Sequence, residues 1–263
     1  MDTTQMRIYP FTYICYRDWD LFRLLVASAE KIADPRMMPW TAYYDREQPL
    51  SDGMHGFCDK HRIVRHARPD GFFPWCGWKS AMSKLYGWKS MLLQDGIEDS
   101  DYIAYFDSDT VLWNSGLLDA LTNPYDFIGF PHSVTTYIEE FGRQWSWLSG
   151  AFQAMKASCI HMLPWLSPPE LTTIKDKMLV YGLSHNEDVV ISFLAAFVGA
   201  TENRLNGRDY HEDDFEAAFR GELTPRSFSH FNYHPQEFLG HKVSGKWDIP
   251  KAVEKTGLWP SAT

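Results

Sequence analysis

Asp107 and Asp109, one residue apart in Asp-Ser-Asp-Thr, follow directly on the apolar run Tyr102-Ile103-Ala104-Tyr105-Phe106. A continuous apolar run bounded by polar residues is the pattern of a strand buried on both faces, and alternate residues of an extended chain point to the same side. The two carboxylates are therefore expected to converge past the strand's carboxyl end, where open α/β sheets bind their ligands. Two hard oxygen donors facing such a crevice suit a divalent cation whose remaining positions a diphosphate fills. A polar turn that merely closes a core strand has the same sequence, so the partners must decide.

Those partners lie later in the chain. Asn186-Glu187-Asp188 opens a strongly apolar helical segment (189–198) closed by Gly199. Asn is a favoured N-cap and acids in a first turn suit the helix dipole, which is a sufficient structural reason for all three. If Asn186 caps through its side chain, Glu187 and Asp188 are free to face the crevice, where Asp188, or else Glu187, serves as a general base. In Trp145-Ser146-Trp147-Leu148-Ser149-Gly150, Gly150 marks a tight turn or a close approach of backbone to ligand. Trp145 and Trp147 wall a sugar pocket if exposed, and otherwise pack in the core. Residues 226–231 read as a strand end delivering His230, and residues 240–247 as a glycine-flanked loop carrying His241 and Lys246. Cys58, His61, His66 and Cys76 also lie close together, but their spacing fits no zinc pattern, and solvated loop histidines are the expectation.

The elements that must position these groups follow an α/β pattern. Residues 7–16 read as a first strand, and 21–33 as an amphipathic helix capped by Asp18 or Asp20 and burying Leu21, Leu25, Ala29 and Ile32. Residues 40–45 form a second strand ending in Asp45, which binds a ribose hydroxyl or base edge in such a unit or is a simple turn residue. Residues 48–74, rich in Gly, Asp, His and Pro, read as a long loop with a short strand at 62–64. A helix over 77–94 carries Trp78, Ala81 and Met82, Leu85, Trp88 and Leu92 on one stripe and leaves Lys79, Lys84 and Lys89 mostly solvated, with one of them able to reach a phosphate. The strand 102–106, a short helix at 117–121 and a strand at 125–130 follow. Residues 132–144 are expected to be irregular and flexible, 171–181 helical, 208–222 an acidic helix, and 251–263 a surface tail.

With 44% hydrophobic and 22% charged residues, 263 residues make one large α/β domain with ample core. A net charge of −9 disfavours bare nucleic acid and anionic membrane surfaces. No apolar run approaches the roughly 20 residues a bilayer span needs. Scattered cysteines without C-x-x-C, and an amino terminus without a basic-then-apolar signal, point to a soluble cytoplasmic protein with free thiols.

In this order, the pieces resemble the GT-A glycosyltransferases, which use nucleotide sugars and are built on a single Rossmann-like domain with a central, mostly parallel sheet flanked by helices. Asp107-Ser108-Asp109 looks like their D-x-D motif, residues 147–151 like the glycine loop, Asn186-Glu187-Asp188 like the x-E-D motif, and His230 or His241 like the late histidine. The resemblance implies that Asp107 and Asp109, with His230 (His241 as fallback), hold Mn²⁺ or Mg²⁺ on the donor diphosphate. It also implies that Asp107 touches the ribose, that Lys246 neutralises phosphate and that Asp188 or Glu187 activates the acceptor in an inverting reaction, the favoured branch. About 1–130 would bind the nucleoside-diphosphate sugar and about 131–250 the acceptor hydroxyl, on a sugar, a glycolipid head group, a protein or a modified DNA base. Two rivals remain. A sugar nucleotidyltransferase shares the fold but opens with a Gly-rich basic loop that residues 15–18 lack, and a non-catalytic carbohydrate-binding protein would not need Asp109.

Overall fold

The computed structural model describes residues 6–14, 18–68, 78–121, 124–164, 168–205, 210–212 and 227–230. Cys15, Cys76, His241 and Lys246, most of the acidic stretch 208–222 and the tail 251–263 lie outside them.

Strand β1 (Ile8–Ile14), helix α1 (Trp19–Ile32) and strand β2 (Thr41–Asp45) make the expected β-α-β opening, with β1 and β2 parallel. Helix α1 buries Leu21, Leu25 and Ala29 as expected, together with Phe22, Leu24 and Val26, while Ile32 is half-exposed. Asp18 occupies the N-cap position without a side-chain capping bond.

The expected loop at 48–74 is ordered as helix α2 (Asp52–Lys60) and strand β3 (Val64–Arg68). Ser51 caps α2 by accepting from the Met54 N–H at 3.4 Å, and Met54 and Cys58, four residues apart, bury one face. Two glycines and several polar residues in α2 masked that period. Strand β3 lies at the sheet's edge, with Val64 and His66 exposed and Arg68 buried.

Helix α3 (Trp78–Met91) buries Ala81, Leu85 and Trp88 as its stripe requires. Lys84 and Lys89 are not solvated, however; each is only 2% exposed. Strand β4 (Tyr102–Phe106) is buried throughout and is followed by β5 (Thr110–Leu112), α4 (Gly116–Asp119) and β6 (Phe127–Pro131). Residues 132–144, expected to be irregular, include an antiparallel pair, β7 (Thr136–Ile138) and β8 (Arg143–Trp145), joined by a short 3-10 turn. Strand β9 (Leu148–Lys156) replaces the expected glycine loop. It is followed by α5 (Ala157–Met162), α6 (Pro168–Val180), α7 (Glu187–Phe197), β10 (Glu202–Arg204), β11 (Tyr210–Glu212) and β12 (Phe228–His230).

The main sheet has seven strands in the order β10-β6-β9-β4-β1-β2-β3. All its pairings are parallel except those of β9, which runs antiparallel between β4 and β6. Alternation along β4 divides the core: Ile103 and Tyr105 join the face covered by α3 and α7, and Tyr102, Ala104 and Phe106 the face covered by α1. A second sheet, β11-β12-β5, stands beside the carboxyl end of β4. Among the described residues, no helix is long and apolar enough to cross a membrane.

Candidate active site

The Asp107 N–H donates to the Ala151 carbonyl at 3.0 Å, carrying the β4–β9 pairing one residue past β4. The Thr110 hydroxyl donates to the Asp107 carbonyl at 2.7 Å, closing a turn. Asp107 and Asp109 therefore converge because the chain turns between them, not because it stays extended as the sequence pattern implied. Strand β5 pairs antiparallel with β12, with His230 opposite Thr110. That register brings His230 Nε2 to 3.2 Å from Asp109 Oδ1 and 3.7 Å from Asp107 Oδ2. The three side chains each offer a ligand atom within 4.8 Å of the others, and they are the one such group among the described residues.

Electrostatics tie this group to a second one. The Tyr105 hydroxyl donates to Asp107 Oδ1. Burial and the neighbouring Asp109 push the Asp107 carboxyl above its ordinary range, against the opposing pull of Lys84, His230 and the Tyr105 hydroxyl. Burial, followed by Asp107, raises the Tyr105 phenol well above its ordinary value, so it stays a donor.

Lys84, expected to be mostly solvated, is instead buried beside the acids. Its Nζ sits 3.8 Å from the Tyr105 ring centroid and 3.4 Å from the Gly150 carbonyl it donates to. Burial lowers its ammonium, while Glu187, Asp107 and Asp188 act to keep it charged. The signal was present: Ala81, Lys84, Leu85 and Trp88 stand at i, i+3, i+4 and i+7, so Lys84 occupies a place in the buried stripe.

Around Lys84 the acids of α7 come in. Gly150 lies inside β9, not in a turn, and a Cβ there would stand 3.5 Å from Asp188 Cβ, 3.6 Å from Lys84 Nζ and 3.7 Å from Glu187 Oε1. The missing side chain leaves a notch bordered by both acids and the lysine. Glu187 accepts from the Ser80 hydroxyl at 3.5 Å. The expected side-chain cap by Asn186 is absent; instead Asp188 Oδ1 accepts from the Val189 N–H at 2.8 Å. Burial and then Glu187 raise the Asp188 carboxyl, and Lys84, the Val189 N–H and His132 oppose the rise.

Trp145 is not a pocket wall. It is fully buried, packed edge-on against Phe193 and Phe141, because the β7–β8 pair folds it under α7. Trp147 is half-buried with one face stacked on His132, ring centroids 4.5 Å apart at 20°. Asp45 Oδ1 accepts from the Glu47 N–H at 2.9 Å, as a turn residue does, at the carboxyl end of β2. Cys58 is buried, which pushes its thiol up to about 11. His61 pairs with Glu30 at 2.6 Å and His66 stacks on Tyr43, so these three residues do not gather into a metal site. Cys159 is also a buried free thiol.

No protein-family model matches the sequence, and no curated protein resembles it in sequence. Solved structures do resemble its fold. The galactosyltransferase LgtC, in complex with donor and acceptor sugar analogues, matches over 97% of this chain and 97% of its own, with a TM-score of 0.55 and 11% identity. Mouse xyloside xylosyltransferase 1, in its apo form, matches over 88% of this chain and 99% of its own, with a TM-score of 0.54 and 8% identity. The bifunctional glycosyltransferase WbbM matches 95% of this chain with 52% of its own, at a TM-score of 0.55 and 9% identity. The fold is therefore the GT-A fold of these glycosyltransferases.

Proposed function

We propose that the protein is a metal-dependent glycosyltransferase that moves a sugar from a nucleoside-diphosphate sugar to an acceptor hydroxyl. The observation that carries this reading is the convergence of Asp107, Asp109 and His230 beside the carboxyl end of β4, next to the notch formed by Lys84, Gly150, Glu187 and Asp188. Two carboxylates and an imidazole are a donor set suited to Mn²⁺, with Mg²⁺ as a substitute. When bound, the cation supplies positive charge that stabilises the departing diphosphate.

The chain's own residues do the rest. Asp107, Asp109 and His230 hold the cation, and Tyr105 fixes the orientation of the Asp107 carboxylate. Lys84 offsets the repulsion among Asp107, Glu187 and Asp188, so that these acids can stand near an anionic donor. Asp188 accepts the acceptor's proton at a carboxylate oxygen, its raised basicity suiting it to that role better than an exposed aspartate. Attack from the face opposite the diphosphate then inverts the anomeric centre. About 1–130 serves the donor, with Asp45 toward the ribose, and about 131–250 serves the acceptor, in a soluble, cytoplasmic protein.

A second reading of Asp188 and Glu187 has its own support. Both border the Gly150 notch with Lys84, which also faces Asp107, so the two acids can grip hydroxyls of the donor sugar instead. The anomeric configuration of the product separates the two roles. The reaction itself is tested by incubating the protein with a panel of nucleotide sugars and Mn²⁺ and measuring nucleotide release. Slow hydrolysis of one donor, abolished by EDTA, is expected. Tight sugar binding with no turnover would indicate a carbohydrate-binding protein, and pyrophosphate-dependent exchange a nucleotidyltransferase.

A further inference from the structure

His132 is an exposed residue held at three points. Its backbone N–H donates to the Trp147 carbonyl at 2.9 Å, which continues the β6–β9 pairing beyond Pro131 and Leu148. Its ring lies almost flat on the Trp147 indole, 4.5 Å away at 20°, and Trp147 is in turn backed by Trp145 at 6.5 Å. The Val134 N–H donates to His132 Nδ1 at 3.4 Å, so the neutral ring carries its proton on Nε2. An exposed histidine ordinarily samples several rotamers; this one is a fixed plate on an aromatic stack.

The plate is linked to the region of Asp188. Trp147 belongs to the segment that runs three residues on to Gly150, beside Asp188, and the Leu148 N–H between them donates to Ser192 Oγ on α7, the helix that presents Asp188. A protonated His132 would pull the Asp188 carboxyl down, so the two lie within electrostatic reach of each other.

We propose that the acceptor is a carbohydrate whose ring rests on the exposed face of His132, with a hydroxyl directed at Asp188. This rests on the glycosyltransferase reading above. A pyranose has an apolar C–H face suited to a flat ring and a rim of hydroxyls, one of which the His132 Nε2–H meets as donor. A nucleobase would also stack, but Asp188 within reach of the plate, and a net charge of −9, repel a phosphodiester backbone.

The test uses the donor identified by the nucleotide-sugar panel. Its consumption is measured alone, with methyl glycosides of glucose, galactose, mannose and xylose, and with an oligonucleotide containing hydroxymethylcytosine. At least one glycoside is expected to accelerate donor consumption and to become glycosylated. For that glycoside H132A is expected to raise KM about tenfold, with kcat kept within about twofold, and H132F to bring KM back within about threefold of wild type. A melting curve for each variant shows whether it is folded. If the donor is turned over but no glycoside accelerates it, if only the oligonucleotide is glycosylated, or if H132A leaves KM unchanged, the proposal is overturned while the glycosyltransferase reading stands. If no donor is bound or hydrolysed, both fall together.

Discussion

His230 Nε2 lies 3.2 Å from Asp109 Oδ1 because β12 returns to pair with the short strand that leaves the acidic turn, setting His230 opposite Thr110. The second sheet thus supplies the third donor to a group whose first two come from the end of β4. Replacing His230 by Ala is expected to weaken metal-dependent nucleotide binding by at least roughly tenfold, the lower end of what even an outer-shell partner is worth. Titration calorimetry with Mn²⁺ present measures it. Unchanged affinity would move the third ligand elsewhere.

Lys84 joins the two acidic groups, and its removal should be visible in a pH profile. In Lys84→Met the cation that holds the Asp188 carboxyl down is gone, so that carboxyl rises further. A base must be deprotonated to act, and the acid limb of kcat/KM is therefore expected to move to higher pH. An acid limb at the wild-type position would separate Asp188 from the proton transfer.

Asp188→Asn keeps the size of the side chain but removes its basicity. Transfer is expected to fall by roughly 10²–10⁴-fold while donor affinity persists. Stability should move the other way. The folded carboxyl titrates above the unfolded one, so the folded state binds the proton more tightly, and the wild type loses stability as pH rises from the unfolded value of about 3.9 through the higher folded value. Asparagine has no such loss. Denaturant unfolding at pH 3 and pH 7 should show the variant gaining on the wild type at the higher pH. A product of retained configuration would assign Asp188 to the donor sugar.

Gly87 tests the packing of α3 against β1. A Cβ there would stand 2.3 Å from the Tyr13 hydroxyl oxygen and 2.9 Å from Phe11 Cε2, side chains fixed in an aromatic cluster. Gly87→Ala is expected to destabilise by about 1–3 kcal/mol, despite alanine's better helix propensity. A midpoint of unfolding equal to that of the wild type would contradict this packing.

The strand Tyr102–Phe106, the acids beyond it and the strand bearing His230 were legible because each is a local pattern: an apolar run, a pair at fixed spacing, a short β segment. What brings them together was not. The turn closed by Thr110 and the β5–β12 register depend on pairing between distant segments, which periodicity does not encode. The nine-residue β9 stands where the resemblance implies a glycine loop; Gly150 sits within the strand, where a Cβ would only touch Asp188, Lys84 and Glu187 at ordinary contact distance, so neither a turn nor crowding explains the glycine. Helix α2 was hidden by Gly53 and Gly56, which face open space and cost only propensity. Lys84 was assigned by residue type to the solvent, although its place in the stripe of Ala81, Leu85 and Trp88 said otherwise.

The most direct test of the metal site is calorimetric titration of a nucleoside diphosphate into the protein with Mn²⁺ and again with excess EDTA, for wild type and for Asp109→Ala. Two acids beside the diphosphate repel it unless a cation intervenes, so binding is expected for the wild type with Mn²⁺ and in neither of the other conditions. Equal affinity with Mn²⁺ and with EDTA, or an Asp109→Ala variant that binds as the wild type does, would contradict a metal-dependent donor site at Asp107, Asp109 and His230.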